Sequence, residues 1–530
     1  MRNLHTATGI ALAALAGLAW SGWACAGASN DPPSETVVAP PPIDAVAVRL
    51  QTATALARVD PRYLSFAVDS SQVAGGMWWS EDTSVSGSTG STKVPPFDFT
   101  RPRLRALASA LAPAFLRIGG SEADRVFYDL SEAPVATAPP PYELVITRPI
   151  WDGLAGFARD LDLTLFFTLN AGPGPRDADK RWEPANAREL VRYATGRGDP
   201  VEIWELGNEI NGYPLFHGMD LLLDGAAYAK DLRTAHALLD AEAPGARLAG
   251  PSSAYWPVAG EMNPVMADTL REGGDALDVV TWHYYPQQSQ RCPVTSRPAE
   301  PQVMLDPEAL DEVDVWAAEV EGHRDAHAPG TPVWLGETGN AQCGGEPGVS
   351  DRWAGTFWWV DQLGRMARRG QPVVVRQTLS GTDYGLLDDS TLTPRPDYWA
   401  SVLWKRLMGP TVLDATSVSP ALRAYAHCAV PGEGVPPGAV AMALVNLADA
   451  ATPVALPDGG HLLEAWVMTA QSLEARDVRL GDAVLAAAAD GSLPELGPSR
   501  LDFAAGRWLE LPPRSVTFLR LPDVDAPACR

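Results

Sequence analysis

The 530-residue chain is 46% hydrophobic and 20% charged, which supplies a large core and excludes disorder, collagen or coiled coil as whole-chain answers. Lys and Arg total 41 against 65 Asp and Glu, a net charge of −24. That excludes functions resting on long-range attraction to nucleic acid or another polyanion. The 48 prolines and 47 glycines mark a loop-rich protein, and most of the 18 tryptophans are expected to pack the core rather than stack on sugar.

The chain opens with Arg2, an apolar run from Ile10 to Trp20 and small residues from Ala24 to Ala28. Residues 1–28 therefore read as an export signal, with Cys25 as an alternative lipid-anchor site. The apolar run is too short to span a bilayer, and no later segment is long enough either. Residues 29–42 form a Pro-rich linker that cannot pack a core. Ala45–Leu50 reads as a strand, and residues 43–58 are expected to join a C-terminal sheet.

Strand and helix patterns then alternate eight times. Apolar strand runs fall at Tyr63–Asp69, Ala114–Gly119, Leu163–Leu169, Val201–Leu206, Arg247–Gly250, Leu277–His283, Pro332–Gly336 and Pro372–Arg376. Several are apolar almost throughout, as in parallel strands buried on both faces. Amphipathic helices are predicted over Arg101–Leu111, Ile150–Leu161, Ala185–Ala194, Gly225–Leu239, Glu261–Glu272, Pro307–Ala326, Asp351–Arg369 and Asp397–Met408. The fold class is α/β, with a (β/α)8 barrel over residues 59–409. An open doubly wound sheet is disfavoured because no Gly-rich phosphate loop follows the first strand.

From about residue 411 short alternating runs take over: Leu422–His427, Val440–Val445, Leu462–Met468, Trp508–Leu511 and Val516–Leu521. Turns such as Pro457–Gly460 separate them, so residues 410–530 read as an antiparallel β-sandwich. Beyond Cys25, four cysteines remain: Cys292, Cys343, Cys428 and Cys529. The preferred pairing is Cys428 with Cys529 and Cys292 with Cys343, one of three possible, and free thiols are the alternative. No Cys or His spacing matches a zinc site, so no metal is assigned.

In a barrel, chemistry sits at the C-terminal ends of the strands. After the fourth run comes Trp204-Glu205-Leu206-Gly207-Asn208-Glu209, and the seventh leads into Gly336-Glu337-Thr338. Two facing carboxylates at a barrel mouth suit glycoside hydrolysis, one protonating the leaving oxygen and the other attacking the anomeric carbon or activating water. Either glutamate alone is as readily a cap or an ion-pair partner; the pair at two strand ends carries the reading. Glu205 is a weaker candidate, because alternation points it away from Asn208, and a basic residue inside the barrel is its expected partner. No metal or organic cofactor is needed, because two carboxylates suffice.

These segments, with Leu64–Asp69, Leu116–Ser121, Val280–Tyr285, Val375–Gln377, Pro396–Trp399 and Leu422–Cys428, resemble glycoside hydrolase family 79, the heparanase and β-glucuronidase family. The resemblance runs from about Val59 to Cys529. It implies a retaining mechanism with Glu209 as acid/base and Glu337 as nucleophile. Glu337 then has to stay ionised, which calls for hydrogen bonds or a cation beside it, and its charge would raise the pKa of Glu209. The resemblance places Asp69, Ser121 and Asn208 in the sugar pocket, with Asn208 on the 2-hydroxyl. It lets Tyr284 or Tyr285 orient the nucleophile and supports the Cys428–Cys529 bridge; His283, beside the presumed site, is expected to position sugar or a neighbouring side chain rather than to coordinate a metal. In the family a tyrosine and glycines after the nucleophile bind a glucuronate carboxylate. Here Gln342 replaces that tyrosine and Cys343 a glycine, while Gly344 and Tyr384 remain.

The expected substrate is an oligosaccharide or β-glucuronide, cleaved by a single-chain, monomeric, exported enzyme that is periplasmic, secreted or anchored through Cys25. The short stretch from Phe127 to Arg148 leaves no long excised linker, and the basic heparin-binding clusters of the animal enzyme have no counterpart. Two alternatives stand beside this: a β-xylosidase or β-glucosidase of the same clan, and a non-catalytic carbohydrate-binding protein.

Overall fold

The structure, a computed structural model, describes residues 42, 44–79, 91–457, 461–502 and 508–530. The export segment with Cys25, the linker except Pro42, and the turn residues 458–460 lie outside the described residues. Among the described residues no helix is long and apolar enough to cross a membrane.

Eight parallel strands close into a ring in chain order: Leu64–Asp69, Ala114–Gly119, Leu163–Leu169, Val201–Leu206, Arg247–Trp256, Val279–Tyr284, Val333–Thr338 and Val374–Arg376. The first pairs with both the second and the eighth, and the fourth with the fifth, so no edge is left open. Alternation sorts the side chains. Phe115, Phe166, Ile203 and Trp334 fill the barrel interior with smaller apolar residues. Leu116, Ile118, Leu165 and Phe167 face outward into the core beneath the helices. Burial on both faces explains the nearly continuous apolar runs. Twelve of the 18 tryptophans are buried, among them Trp151, Trp204, Trp282, Trp334, Trp353, Trp358 and Trp359, so most are packing residues.

The fifth strand continues past Gly250 to Trp256 and turns back through Gly260–Glu261. The helix predicted from Glu261 therefore begins only at Met266; Glu261 instead accepts the Met266 N–H at 2.9 Å and caps it. The last barrel helix, Pro396–Leu407, runs straight into a strand, Met408–Ser417, that the sequence pattern did not show.

That strand belongs to a mainly antiparallel sheet whose centre is Leu462–Ala470, Ser515–Leu521, Val440–Asn446, Leu422–Ala429 and Met408–Ser417. Val46–Gln51 pairs antiparallel with Met408–Ser417 and parallel with Thr452–Ala455. Along Val440–Asn446, Ala441, Ala443 and Val445 join the barrel-side core, while Val440, Met442 and Leu444 join a second core that includes Val48, Val454 and Leu511. The sheet thus folds over itself as a sandwich with one face on the barrel helices. Gly364 makes that contact possible, since a Cβ there would lie 2.1 Å from the Tyr425 ring. Cys428 is bonded to Cys529, and Cys292 to Cys343.

Candidate active site

Above the apolar interior the next inward positions are polar: Arg117, Thr168, Glu205 and Thr281. Arg117 is fully buried. It donates to Glu205 Oε2 at 2.8 and 3.1 Å, to Glu337 Oε2 at 2.7 Å and to Asn208 Oδ1 at 2.9 Å. Thr168 and Thr281 donate to the two oxygens of Glu205 at 2.8 and 2.9 Å. Burial opposes ionisation of Glu205, but the Arg117 charge and these hydrogen bonds outweigh it and hold its carboxyl below the usual range. Glu205 has the internal basic partner expected of it. It does not point away from Asn208, since both bind one guanidinium: Gly207, with φ +73°, breaks the alternation between them. Gly119 leaves room for Arg117, whose Cζ would be 2.5 Å from a Cβ there.

Glu337 lies within the seventh strand, and strict alternation from inward-facing Trp334 would turn it outward. A break in register between Trp282 and His283 pairs His283 with Glu337 instead. Glu337 joins the cavity lining at the mouth, and both its oxygens are bonded, Oε2 to Arg117 and Oε1 to the Tyr285 hydroxyl at 2.6 Å. Tyr284, the other candidate, donates instead to Glu312 at 3.3 Å.

Glu209 follows the fourth strand with φ 51° and ψ 58°, a left-handed conformation uncommon outside glycine and frequent at constrained functional positions. Its Oε1 lies 3.1 Å from His283 Nδ1. Burial pushes its pKa up to about 7; Arg117 opposes this and Glu205 adds to it. Burial, ahead of any carboxylate charge, is the cause, whereas the sequence pointed to Glu337. His283 is pushed down to about 4, chiefly by burial, and is neutral. Its Nε2 lies 2.8 Å from Ser252 Oγ. That oxygen also accepts from Arg117 at 3.4 Å, and the tautomer of the ring sets which of its two nitrogens donates.

One oxygen of Glu209, one of Glu337 and a nitrogen of His283 all lie within 4.8 Å of one another. The donor set resembles a metal cluster but does not fit one: the buried Arg117 guanidinium already supplies the positive charge, and a divalent cation would stand against it. Two carboxyls so placed, one holding its proton near neutrality and the other held by donors, can deliver a proton on one side and form a bond on the other.

Both line a cavity of about 380 Å³ with Asp69, Ser121, Asn208, Tyr285, Gln342 and Tyr384. Asp69 caps the helix after the first strand through the Ser71 N–H at 2.8 Å. Burial raises its pKa well above the usual range, and Glu337 adds to the shift. Gly120, φ +88°, is required beside it, since a Cβ would fall 1.9 Å from Asp69 Oδ2. Asn208 Oδ1 is taken by Arg117 and, at 3.2 Å, by the Gly120 N–H. Its amide N–H groups are what it has to offer a sugar hydroxyl. Gln342 is half-buried and accepts from Gln288 at 3.3 Å. His283 stands behind Glu209 rather than in the lining. Gly344 also lies behind the wall: its carbonyl accepts the Asp383 and Tyr384 N–H groups at 3.0 and 3.3 Å, and a Cβ would strike Trp79. Cys292 and Cys343 both line the mouth, joining the loops after the sixth and seventh strands.

Sequence reasoning left several lining residues without a role. Trp79, Trp256 and Gln377 line the cavity, and nothing in composition separates these tryptophans from the packed ones. Arg117 was visible within Leu116–Ser121 but unassigned; an arginine inside an apolar strand is the signal that finds it. Asp124, buried, accepts the Ala171 N–H at 2.8 Å and the Asn208 N–H at 3.0 Å, tying the loops after the second, third and fourth strands. A larger cleft of about 820 Å³ lies between helices and sandwich. There Arg365 pairs with Asp311 and Asp314, and Arg369 with Glu321.

The model of glycosyl hydrolase family 79, N-terminal domain, matches residues 45–364. The chain is 31% identical to heparanase from Gallus gallus over 487 residues, covering 81% of this chain and 89% of that one. It is 28% identical to heparanase-like protein 1 from Arabidopsis thaliana over 513 residues, covering 85% and 90%. Among solved structures, a 4-O-α-L-rhamnosyl-β-D-glucuronidase from Fusarium oxysporum superposes with a TM-score of 0.61 at 14% identity, covering 89% of this chain and 99% of that one. An arabinofuranosidase from Thermotoga maritima does so at 0.61 and 15%, covering 90% and 99%; both likenesses are of fold. The chain belongs to glycosyl hydrolase family 79 and is a glycosidase.

Proposed function

We propose that this glycosidase is a retaining, β-glucuronidase-like enzyme with Glu209 as acid/base and Glu337 as nucleophile. One observation carries the reading: their carboxyl oxygens lie within 4.8 Å of each other across one cavity. That suits direct attack, which uses a separation of about 5–5.5 Å, rather than the ~6.5–9.5 Å that leaves room for a water.

In the first step a Glu337 oxygen bonds to the anomeric carbon as the glycosidic C–O bond breaks. The departing oxygen takes the proton of Glu209. In the second step Glu209, now a carboxylate, takes a proton from water. The water oxygen attacks the anomeric carbon and the glycosyl ester breaks, restoring Glu337. Arg117 and Tyr285 hold Glu337 and balance its charge. His283 Nδ1 lies 3.1 Å from Glu209 Oε1 and positions that carboxyl.

Asp69, Ser121, Asn208, Gln342 and Tyr384 would hold the sugar. A glucuronate carboxylate would be met by neutral donors, the Tyr384 hydroxyl and the Gln342 amide. Burial raises the pKa of Asp69 well above the usual range, which disfavours its negative charge in the site. A second reading, hydrolysis of a neutral β-xyloside or β-glucoside, is favoured by Gln342. Arg125, the one basic residue among the described lining residues, also favours it, because it is already paired with Glu122 and Glu143. Two disulfides support export to an oxidising compartment.

A panel of chromogenic β-glucuronides, β-glucosides and β-xylosides decides the sugar. Turnover of the neutral glycosides alone discards the glucuronide. Labelling by a glucuronate-derived covalent inhibitor, located by peptide mass spectrometry, is expected on Glu337; a label elsewhere removes the assignment.

A further inference from the structure

The cavity lining divides by barrel position. Asp69, Ser121, Glu337, Gln342, Gln377 and Tyr384 come from the seventh, eighth, first and second strands and their loops and are polar, with Trp79 the large apolar residue among them. The opposite wall comes from the loops at the fourth, fifth and sixth strands: Leu215 and Phe216 on the short helix Tyr213–Phe216, Trp256 ending the fifth strand, then Pro293 and Val294. Beyond Asn208, Glu209, Tyr285 and Cys292, which the same loops also bring to the lining, this wall is apolar. Leu215 and Val294 are each 54% exposed, large aliphatic side chains left in solvent at the mouth. One such residue alone means nothing, but five on one wall of a cavity mark a binding surface.

The acid says which part of the substrate that wall meets. Glu209 has to reach the glycosidic oxygen, so the leaving group lies on its side. Glu209 belongs to the fourth-strand loop, which carries Leu215 and Phe216 a few residues on, beside the fifth strand that ends in Trp256. Charge points the same way. The lining has four carboxyl residues, Asp69, Glu122, Glu209 and Glu337, against the single cation Arg125. Arg125 is engaged by Glu143 at 2.7 Å, Glu122 at 3.3 Å and the Phe216 carbonyl at 2.9 Å. A sulfate or second carboxylate on the leaving group would meet acid without a free partner.

We infer that this wall is an aglycone site for an uncharged aromatic or otherwise apolar leaving group, with Leu215, Trp256 and Val294 setting the preference. The inference rests on the assignment of Glu209 as acid but not on the identity of the sugar.

The test compares 2-phenylethyl with ethyl β-glycosides, whose alcohols have similar acidity, so that the preference reads binding rather than leaving-group chemistry. Both are made as glucuronide, glucoside and xyloside. On whichever sugar is cleaved, kcat/KM is expected to be about tenfold or more higher for phenylethyl, as burial of a phenyl ring implies. Leu215→Ser and Trp256→Ala are each expected to pull that ratio toward one. Leu215 is exposed, so its variant leaves the core intact, and circular dichroism checks both.

Equal rates for the two aglycones overturn the inference, as does an unchanged ratio in both variants or a higher kcat/KM for a glycoside with a sulfated sugar as leaving group. Preference for phenylethyl on glucoside but no turnover of glucuronide upholds it and discards the glucuronide reading. No turnover of any glycoside discards both.

Discussion

Arg117 is the residue on which the site's electrostatics turn. It balances Glu205 and Glu337 and holds Asn208, with no exposure to solvent. Removing one partner of a buried ion pair strands the other and costs about 3–5 kcal/mol. Arg117→Met is therefore expected to lose about that much in denaturant unfolding, and its folded fraction to lose kcat; unchanged stability would contradict the network. Glu209 is expected to set the pH response. Burial raises its pKa to about 7, so it keeps its proton below that pH and loses it above. On an alkyl glycoside kcat/KM should fall as pH rises through about 7. His283, near 4, is neutral throughout and does not supply this limb. Asp124 is also raised to about 7 by burial, so Asp124→Asn is the control and should retain the limb. Glu209→Gln should abolish it and lower kcat by about 10²–10⁴-fold.

At the scale of elements, loops rather than strands shape the mouth. The Cys292–Cys343 bridge ties the loop after the sixth strand to the one after the seventh, bringing Val294 and Gln342 onto one cavity. Nearby, Arg291 donates to the Gly345 carbonyl at 2.6 Å and to Asp383 at 2.7 Å. With those contacts kept, the double variant Cys292→Ser/Cys343→Ser is expected to fold but to bind substrate less well. Steady-state kinetics should show KM rising severalfold and kcat changing less. An unchanged KM would make the bridge a fastening only.

Over the whole molecule, Cys428–Cys529 spans a sequence separation of 101 and encloses most of the sandwich. Chain entropy assigns a loop of ~100 residues about 4.7 kcal/mol, and loss of native bridges typically costs about 2–5 kcal/mol. The Cys428→Ala/Cys529→Ala variant should lose stability in that range by denaturant titration. The net charge of −24 bears on partners. The protein is expected to pass unretained through a heparin column at about 0.1 M salt, where fields beyond ~10 Å are screened and only a local basic groove would hold it. Retention would reveal such a groove.

The sequence by itself determined the eight-strand count and that Glu209 and Glu337 sit at the ends of the fourth and seventh strands. Strands buried on both faces must be apolar along their length, and that composition is local. The second, third and fourth runs matched their strands end to end. It could not show Met408–Ser417, where Gly409, Pro410 and a half-exposed pattern hide a strand that directly follows a helix. Only tertiary structure decided how the site is wired. Whether Glu337 faces the cavity depends on one slip in register between neighbouring strands. Whether Arg117 meets Glu205, Glu337 and Asn208 depends on ring closure, which brings together residues 88 to 220 positions apart. A lone arginine in an apolar strand shows in local composition, but its partners do not, because they are set by how strands align with one another and not by what each strand contains.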